Sequence, residues 1–263
     1  MQRKHKESLI KVILLAISSI TIIMLGWIIG YIVFKGIAHI DFGKLVPPIV
    51  STLYMVAIGL LISGPIGIGA AIYLNEYAKP GKFVNAIRFA TESLAAVPSI
   101  IFGLFGMAFF LTQCKLGISI MAGSLTVSMM VLPTIVKTTE EALKTVPVSY
   151  REGSLALGAS KFKTIIKVVL PNALSGILTG VVLGTGRIVG ETAAIYLTAG
   201  TMYRFPESPM ESGRTLAVHL YLLAKEGISF DEAYGTAVVL LITILLLNLL
   251  TYFIGYKLSK VKS

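Results

Sequence analysis

Two ionisable residues four apart, Arg187 and Glu191, stand inside an otherwise apolar stretch, GTGRIVGETAAIYLTAG, residues 184–200. A charge at the centre of a membrane helix costs about 2.5–3.5 kcal/mol on insertion scales, so it faces protein or water and is functional by default. Arginine offers a planar fork of donors that matches a tetrahedral oxyanion, which is what a phosphate or sulfate conduit needs. A conduit must also release its cargo, and a guanidinium partly neutralised by a neighbouring carboxylate suits that need. The alternative reading is that the two charges, at i and i+4, neutralise each other and only fix helix packing. Thr192 completes this candidate group. Glu92, near one end of an earlier apolar run, is either a second pathway charge or a boundary residue that reaches the interface.

Other chemistries are missing their signatures. There is no P-loop pattern, no His-Glu-x-x-His, no Gly-x-Ser-x-Gly and no Cys-x-x-Cys. A single cysteine, Cys114, excludes an internal disulfide and offers no metal cluster. His5, His39 and His219 carry no ligand spacing and read as surface residues in soluble segments. The chain is expected to hold no cofactor of its own, so any ATP it depends on must be bound by another subunit.

The elements that must position Arg187 are membrane helices. Of 263 residues 55% are hydrophobic and only 14% charged, with a mean hydropathy of +0.84, outside the soluble range of about 25% charged. This is the composition of an integral membrane protein, all-α, with one permease-like domain over residues 1–263. Six spans fit, at about 12–34, 49–74, 88–111, 118–136, 173–199 and 234–256. The first run is too long for a signal-peptide core and lacks a cleavage site, so it reads as a retained span. In the second, Gly59, Ser63, Gly67 and Ala71 recur every fourth residue, the stripe that lets membrane helices approach closely, and Pro65 is expected to kink it. In the fifth, Gly176, Gly180, Gly184, Arg187 and Glu191 project within about 80° of one another, so the charges continue a second such stripe. A short helix is expected at 216–224 in the last connector.

Basic residues set the orientation. With six spans both termini share one side, and sixteen Lys and Arg lie there against six opposite. The positive-inside rule makes the termini cytoplasmic, so the net charge of +10 is explained by topology and needs no nucleic-acid partner.

Between the fourth and fifth spans, residues 139–171 form a charged cytoplasmic interruption, most organised over YREGSLALGASKFKTIIKVVLP, residues 150–171. Ser149 and Glu152 fit a capping box. Gly158 supplies a left-handed stop, and Ser160 can cap a second helix. In that helix Phe162, Ile165, Ile166 and Val169 form one apolar stripe, and Pro171 limits it. The result is a compact knob that a partner could grip; the alternative is an amphipathic pair resting on the lipid surface.

The knob also resembles the "EAA" loop of ABC-importer permeases, whose pattern is Glu-Ala-Ala, three residues, Gly, nine residues, Ile-x-Leu-Pro. Here Glu152, Gly158, Val168, Leu170 and Pro171 keep the spacing, while Gly153 and Ser154 replace the alanines and Val168 the isoleucine. With Arg187-Ile-Val-Gly190-Glu191-Thr192, Glu92 through Pro98 to Gly103, and Pro65 through Tyr73 to Tyr77, the sequence over about 51–259 is similar to the PstA-type permeases of phosphate importers. That resemblance implies a type I ABC-importer permease fold, a phosphate path through Arg187, and docking of ATPase subunits on Glu152, Gly153, Ser154, Gly158, Phe162, Leu170 and Pro171. It implies as partners a sister permease (PstC-type), ATPase subunits (PstB-type) that bind ATP and Mg, and an extracytoplasmic phosphate-binding protein (PstS-type). Other readings remain: a permease for molybdate, tungstate or a phosphonate, or a stand-alone ion channel or secondary carrier. An intramembrane enzyme would need a nucleophile and base pairing that the sequence does not present.

Overall fold

Helix α5 (Ile120–Thr145) is the axis of the molecule. Its Ser119 cap accepts from the Ala122 N–H at 3.2 Å, and the hydroxyls of Ser124, Thr126 and Ser128 donate to carbonyls four residues back. These three hydroxyls are thus buried along an intramembrane helix with their donors satisfied. The first free N–H groups, of Ile120 and Met121, are taken by the carbonyls of Glu211 and Pro209 at 2.8 and 2.7 Å. The computed structural model describes residues 2–260, with side chains for 10–257. The side chains of Arg3, Lys4, His5, Lys6, Lys260 and Lys262 lie outside the described residues.

The other helices are α1 (Gln2–Gly36), α2 (Phe42–Ile72), α3 (Lys82–Ala95), α4 (Ser99–Gly106), α6 (Val148–Ala156), α7 (Lys161–Thr164), α8 (Leu170–Gly190), α9 (Ala193–Thr198), α10 (Leu216–Lys225) and α11 (Phe230–Lys260), of which α2, α3, α4, α8 and α9 pack on α5. Among the described residues there is no strand. Three helices widen into π turns: α2 continues through Tyr73–Tyr77, α4 through Met107–Gln113, and α7 joins α8 through Ile165–Val169. Among the described residues five helices are long and apolar enough to cross a membrane, or six with the pair α3–α4 counted as one span.

Both small-residue stripes lie against other helices, as their spacing predicts. On α2, Gly59 meets Ile188 and Val127, Gly67 meets Ile135, and Ser63 and Ala71 are buried. On α8, Gly176 sits on Ala142 and Gly180 on Thr138, so that an added Cβ at either would collide with α5. Where these surfaces converge, Met55, Val127, Met130, Val131, Ile135 and Ile188 form the core. Helix α1 stands apart, meeting α11 where Tyr31 packs edge-on against Tyr234 at 5.8 Å and Gly36 touches the Tyr234 backbone.

Several expected boundaries shift for identifiable reasons. The stretch 88–111 is two helices bent by 101°, because Pro98 lacks an N–H and pushes Val97 out of the helical region. The pair still crosses the bundle: Arg88 on α3 pairs with Glu140, while Gly106 on α4 rests on Thr126. The stretch 173–199 breaks where Glu191 takes extended dihedrals (φ −72°, ψ 132°). Residues 139–145, expected in the knob, remain in α5, since Glu140 is buried against Arg88 and Lys144. Ser149 is inside α6 rather than capping it, because Pro147 already starts the helix with φ −58°. Pro171 does not limit the second knob helix; the preceding π turn leads directly into α8, where a missing N–H near the helix start costs little. Pro65 lies within α2 without ending it. His219 is not a surface residue but 4% exposed.

Candidate functional site

Arg187 is carried by the last turn of α8, between Gly184, which faces Ile135 and Leu60, and the buried pair Ile188–Val189. It is half-buried and has no hydrogen-bond or ion-pair partner among the described residues. Glu191 does not answer it. Helix α8 ends at Gly190, and the Glu191 carboxylate instead accepts from the Ala194 N–H at 3.0 Å, satisfying an orphan donor at the start of α9. The sequence brings the two charges to one helical face; the chain break takes them off it. Among the described residues nothing takes up the donors of the guanidinium.

Thr192 lines an open cavity of about 520 Å³ with Gly190, Tyr221, Lys225 and Leu240. Glu92 is drawn to Lys137, its carboxylate 4.0 Å from Nζ. Lys137 adjoins Thr138, the contact of Gly180, so the level of Glu92 is about two turns of α8, roughly 10 Å, from Arg187. Around Glu92 a charged cleft of about 140 Å³ is lined by Arg88, Thr91, Lys137, Glu140, Glu141 and Lys144.

The knob is built largely as its spacing predicts. Gly158 has φ +81°. Its N–H bonds to the Leu155 carbonyl at 2.9 Å and that of Ala159 to the Ser154 carbonyl at 3.2 Å, which is the Schellman closure of α6. Ser160 accepts from the Lys163 N–H at 3.3 Å, and Ser154 Oγ meets Thr164 Oγ1 at 2.9 Å, pinning the two arms together. Glu152 and Gly153 are exposed. The apolar stripe divides: Ile165 and Val169 are buried, while Phe162 points outward at 67% exposure. Leu157 at the corner is 90% exposed, and Val148, Tyr150 and Leu155 are exposed beside it. Leu170 packs on the core around Val169 and Ala173. An apolar rim of this kind on a polar protrusion marks an interaction surface.

The contacts that seat the knob involve residues whose part is invisible in the motif. Arg151 donates from Nη2 to Glu76 Oε1 at 2.9 Å and from Nε to both Glu76 oxygens at 3.3 Å. The same guanidinium donates to the carbonyls of Val146 and Leu143, at 2.7 and 2.9 Å, which end α5. The one sequence signal is Glu76 itself, an acid at the end of a long apolar run.

Residues 63–260 match the family described as "binding-protein-dependent transport system inner membrane component". The chain belongs to that family. It is similar to the probable ABC transporter permease protein YqgI of Bacillus subtilis, 33% identical over 92% of each chain. It is also similar to the phosphate transport system permease protein PstA of Haemophilus influenzae, 31% identical over 91% of each. In fold it resembles a chain of the MetNI methionine ABC transporter in an inward-facing conformation, with TM-score 0.67 and 20% identity over 84% of this chain and 96% of that one. The chain is thus an all-helical, multi-pass permease component of an ABC importer.

Proposed function

We propose that this chain is the permease subunit of an ATP-driven phosphate importer and that Arg187 is a station on the phosphate path. The observation that carries the reading is the Arg187 guanidinium inside an apolar helix, unpaired among the described residues, since a donor fork held without a carboxylate suits a passing tetrahedral oxyanion. The kinship with a phosphate permease over nine-tenths of the chain supports the same substrate. A sister permease of PstC type completes the path, a PstS-type protein delivers phosphate, and two PstB-type subunits bind ATP with Mg. Both termini and the knob are cytoplasmic, in keeping with the excess of Lys and Arg on that side. Closure of the ATPases moves the knob, which moves α5 and α8 between two packed arrangements and turns Arg187 toward alternate sides.

The test is phosphate uptake into liposomes holding this chain with all three partner types, each then omitted in turn. Uptake should require every partner and ATP, and should be resisted poorly by molybdate, tungstate or a phosphonate as competitors. Flux through the chain alone, driven by an ion gradient, would assign it instead to the carriers or channels.

A further inference from the structure

The knob is covalently continuous with α5 and α8, yet its strongest side-chain grip is on a third helix. Glu76 and Tyr77 lie in the π turn Tyr73–Tyr77 that ends α2. Arg151, from the first arm, holds the Glu76 carboxylate by three donor contacts, with side-chain exposures of 19% and 7%. Lys161, from the second arm, stands over the Tyr77 ring with Nζ 5.0 Å from its centroid. Both arms therefore close on two adjacent residues of one π turn, and π turns inside helices recur at functional sites.

From this turn α2 runs as one unbroken helix to the core, where Gly59 touches Ile188, the residue after Arg187, and receives a hydrogen bond from Ser128 of α5 at 3.2 Å. We propose that the π turn Tyr73–Tyr77 is a socket through which the knob drives α2, and that Arg151, Glu76, Lys161 and Tyr77 are positioning residues for coupling. They touch neither nucleotide nor substrate; they make α2 follow the knob, so that its motion reaches the Arg187 helix from a second side. A buried bidentate pair suits this task because it transmits push and pull without slipping, whereas apolar contact alone would slide. The proposal rests on the reading of the knob as the docking element for an ATP-hydrolysing subunit.

The experiment uses the whole reconstituted complex and inorganic phosphate, reading phosphate imported per ATP hydrolysed for wild type, E76Q, R151M and the double variant. Each single change should lower that ratio by about fivefold or more, the scale of a coupling free energy of 1 kcal/mol or above, with ATP hydrolysis continuing. The double variant should be no worse than the worse single, as expected of one shared contact. Should either charge variant reduce the assembled complex, K161M and Y77L repeat the measurement at the more exposed contact, where a lowered ratio is again expected. An unchanged ratio in these variants, or losses that add in the double, would overturn the socket while leaving the knob reading intact. Wild-type complex that imports without hydrolysing ATP would overturn both.

Discussion

Glu191 turns its carboxylate onto the Ala194 N–H at 3.0 Å and leaves Arg187, four residues earlier, without a counter-ion among the described residues. The spacing promised an i, i+4 pair, but α8 stops at Gly190 and the two side chains part. On the proposed path Arg187 is the cationic station, while Glu191 caps α9, two roles that mutation can separate.

Arg187→Gln should lower phosphate uptake by about 10- to 150-fold, the equivalent of a charge-assisted hydrogen bond of about 1.5–3 kcal/mol. Arg187→Lys should recover part of the rate, since it restores charge but not the fork. The measurement is initial uptake in the reconstituted complex, normalised to assembled protein. Equal rates in wild type and Arg187→Gln would return the residue to a packing role.

Glu191→Gln keeps an acceptor for Ala194 and should leave uptake close to wild type. Glu191→Ala removes the acceptor and should destabilise the α8–α9 break by about 1 kcal/mol, the usual worth of a cap. Thermal unfolding in detergent reads the second effect. Loss of uptake in Glu191→Gln at unchanged stability would show that the charge, not the acceptor, is required.

Gly158 tests the corner of the knob without steric complication, because nothing lies within 4 Å of an added Cβ and only its φ of +81° is at stake. Gly158→Ala should cost about 1–2 kcal/mol of local backbone strain and lower phosphate imported per ATP. Gly158→Asn should be milder, since asparagine tolerates the left-handed region. Equal coupling in both variants would mean that the corner's conformation does not matter.

The features read from sequence share a local cause. Periodicity placed the α2 and α8 stripes, and one glycine placed the corner at 158, because spacing and backbone freedom are properties of neighbouring residues. What was not legible depends on distant partners. Arg151 and Glu76 are 75 residues apart, so their pairing follows from the parallel course of α2 and α5, which end side by side, and not from any motif. The break at Glu191 was hidden for a related reason: an apolar run continues through it, and a helix cap made by a glutamate looks, in one dimension, like half an ion pair. Pro98 was the local signal for the bend between α3 and α4, outweighed by the apolar length on either side.

The exposed tip offers a cleaner separation of folding from docking. Leu157 and Phe162 are 90% and 67% exposed and contribute little to the fold, so Leu157→Asp and Phe162→Asp should change stability by no more than about 0.5 kcal/mol. A central apolar anchor in an interface costs about 2 kcal/mol or more when lost. Both variants should therefore release the ATPase subunits during affinity purification while the permease remains folded. Full retention of those subunits would move the docking surface elsewhere on the knob.

His219 links the connector on the opposite side to pH. Its ring is buried, stacked on Tyr203 at 5.1 Å, with Nδ1 3.3 Å from an Arg214 Nη1. Guanidinium can only donate, so Nδ1 accepts and the ring is neutral. Burial first, and the Arg214 charge second, lower its pKa from 6.5 to about 4, with Glu232 opposing them. Between those two values the opened connector binds a proton that the folded one refuses, so stability is present at neutral pH and is lost as pH falls from about 6.5 toward 4. Below that window both forms are protonated and the loss levels off. The detergent-solubilised protein should accordingly show a thermal midpoint that drops between pH 7 and 5. His219→Gln, which cannot be protonated, should flatten that drop. An identical acid loss in His219→Gln would assign it to other groups, the surface carboxylates first among them.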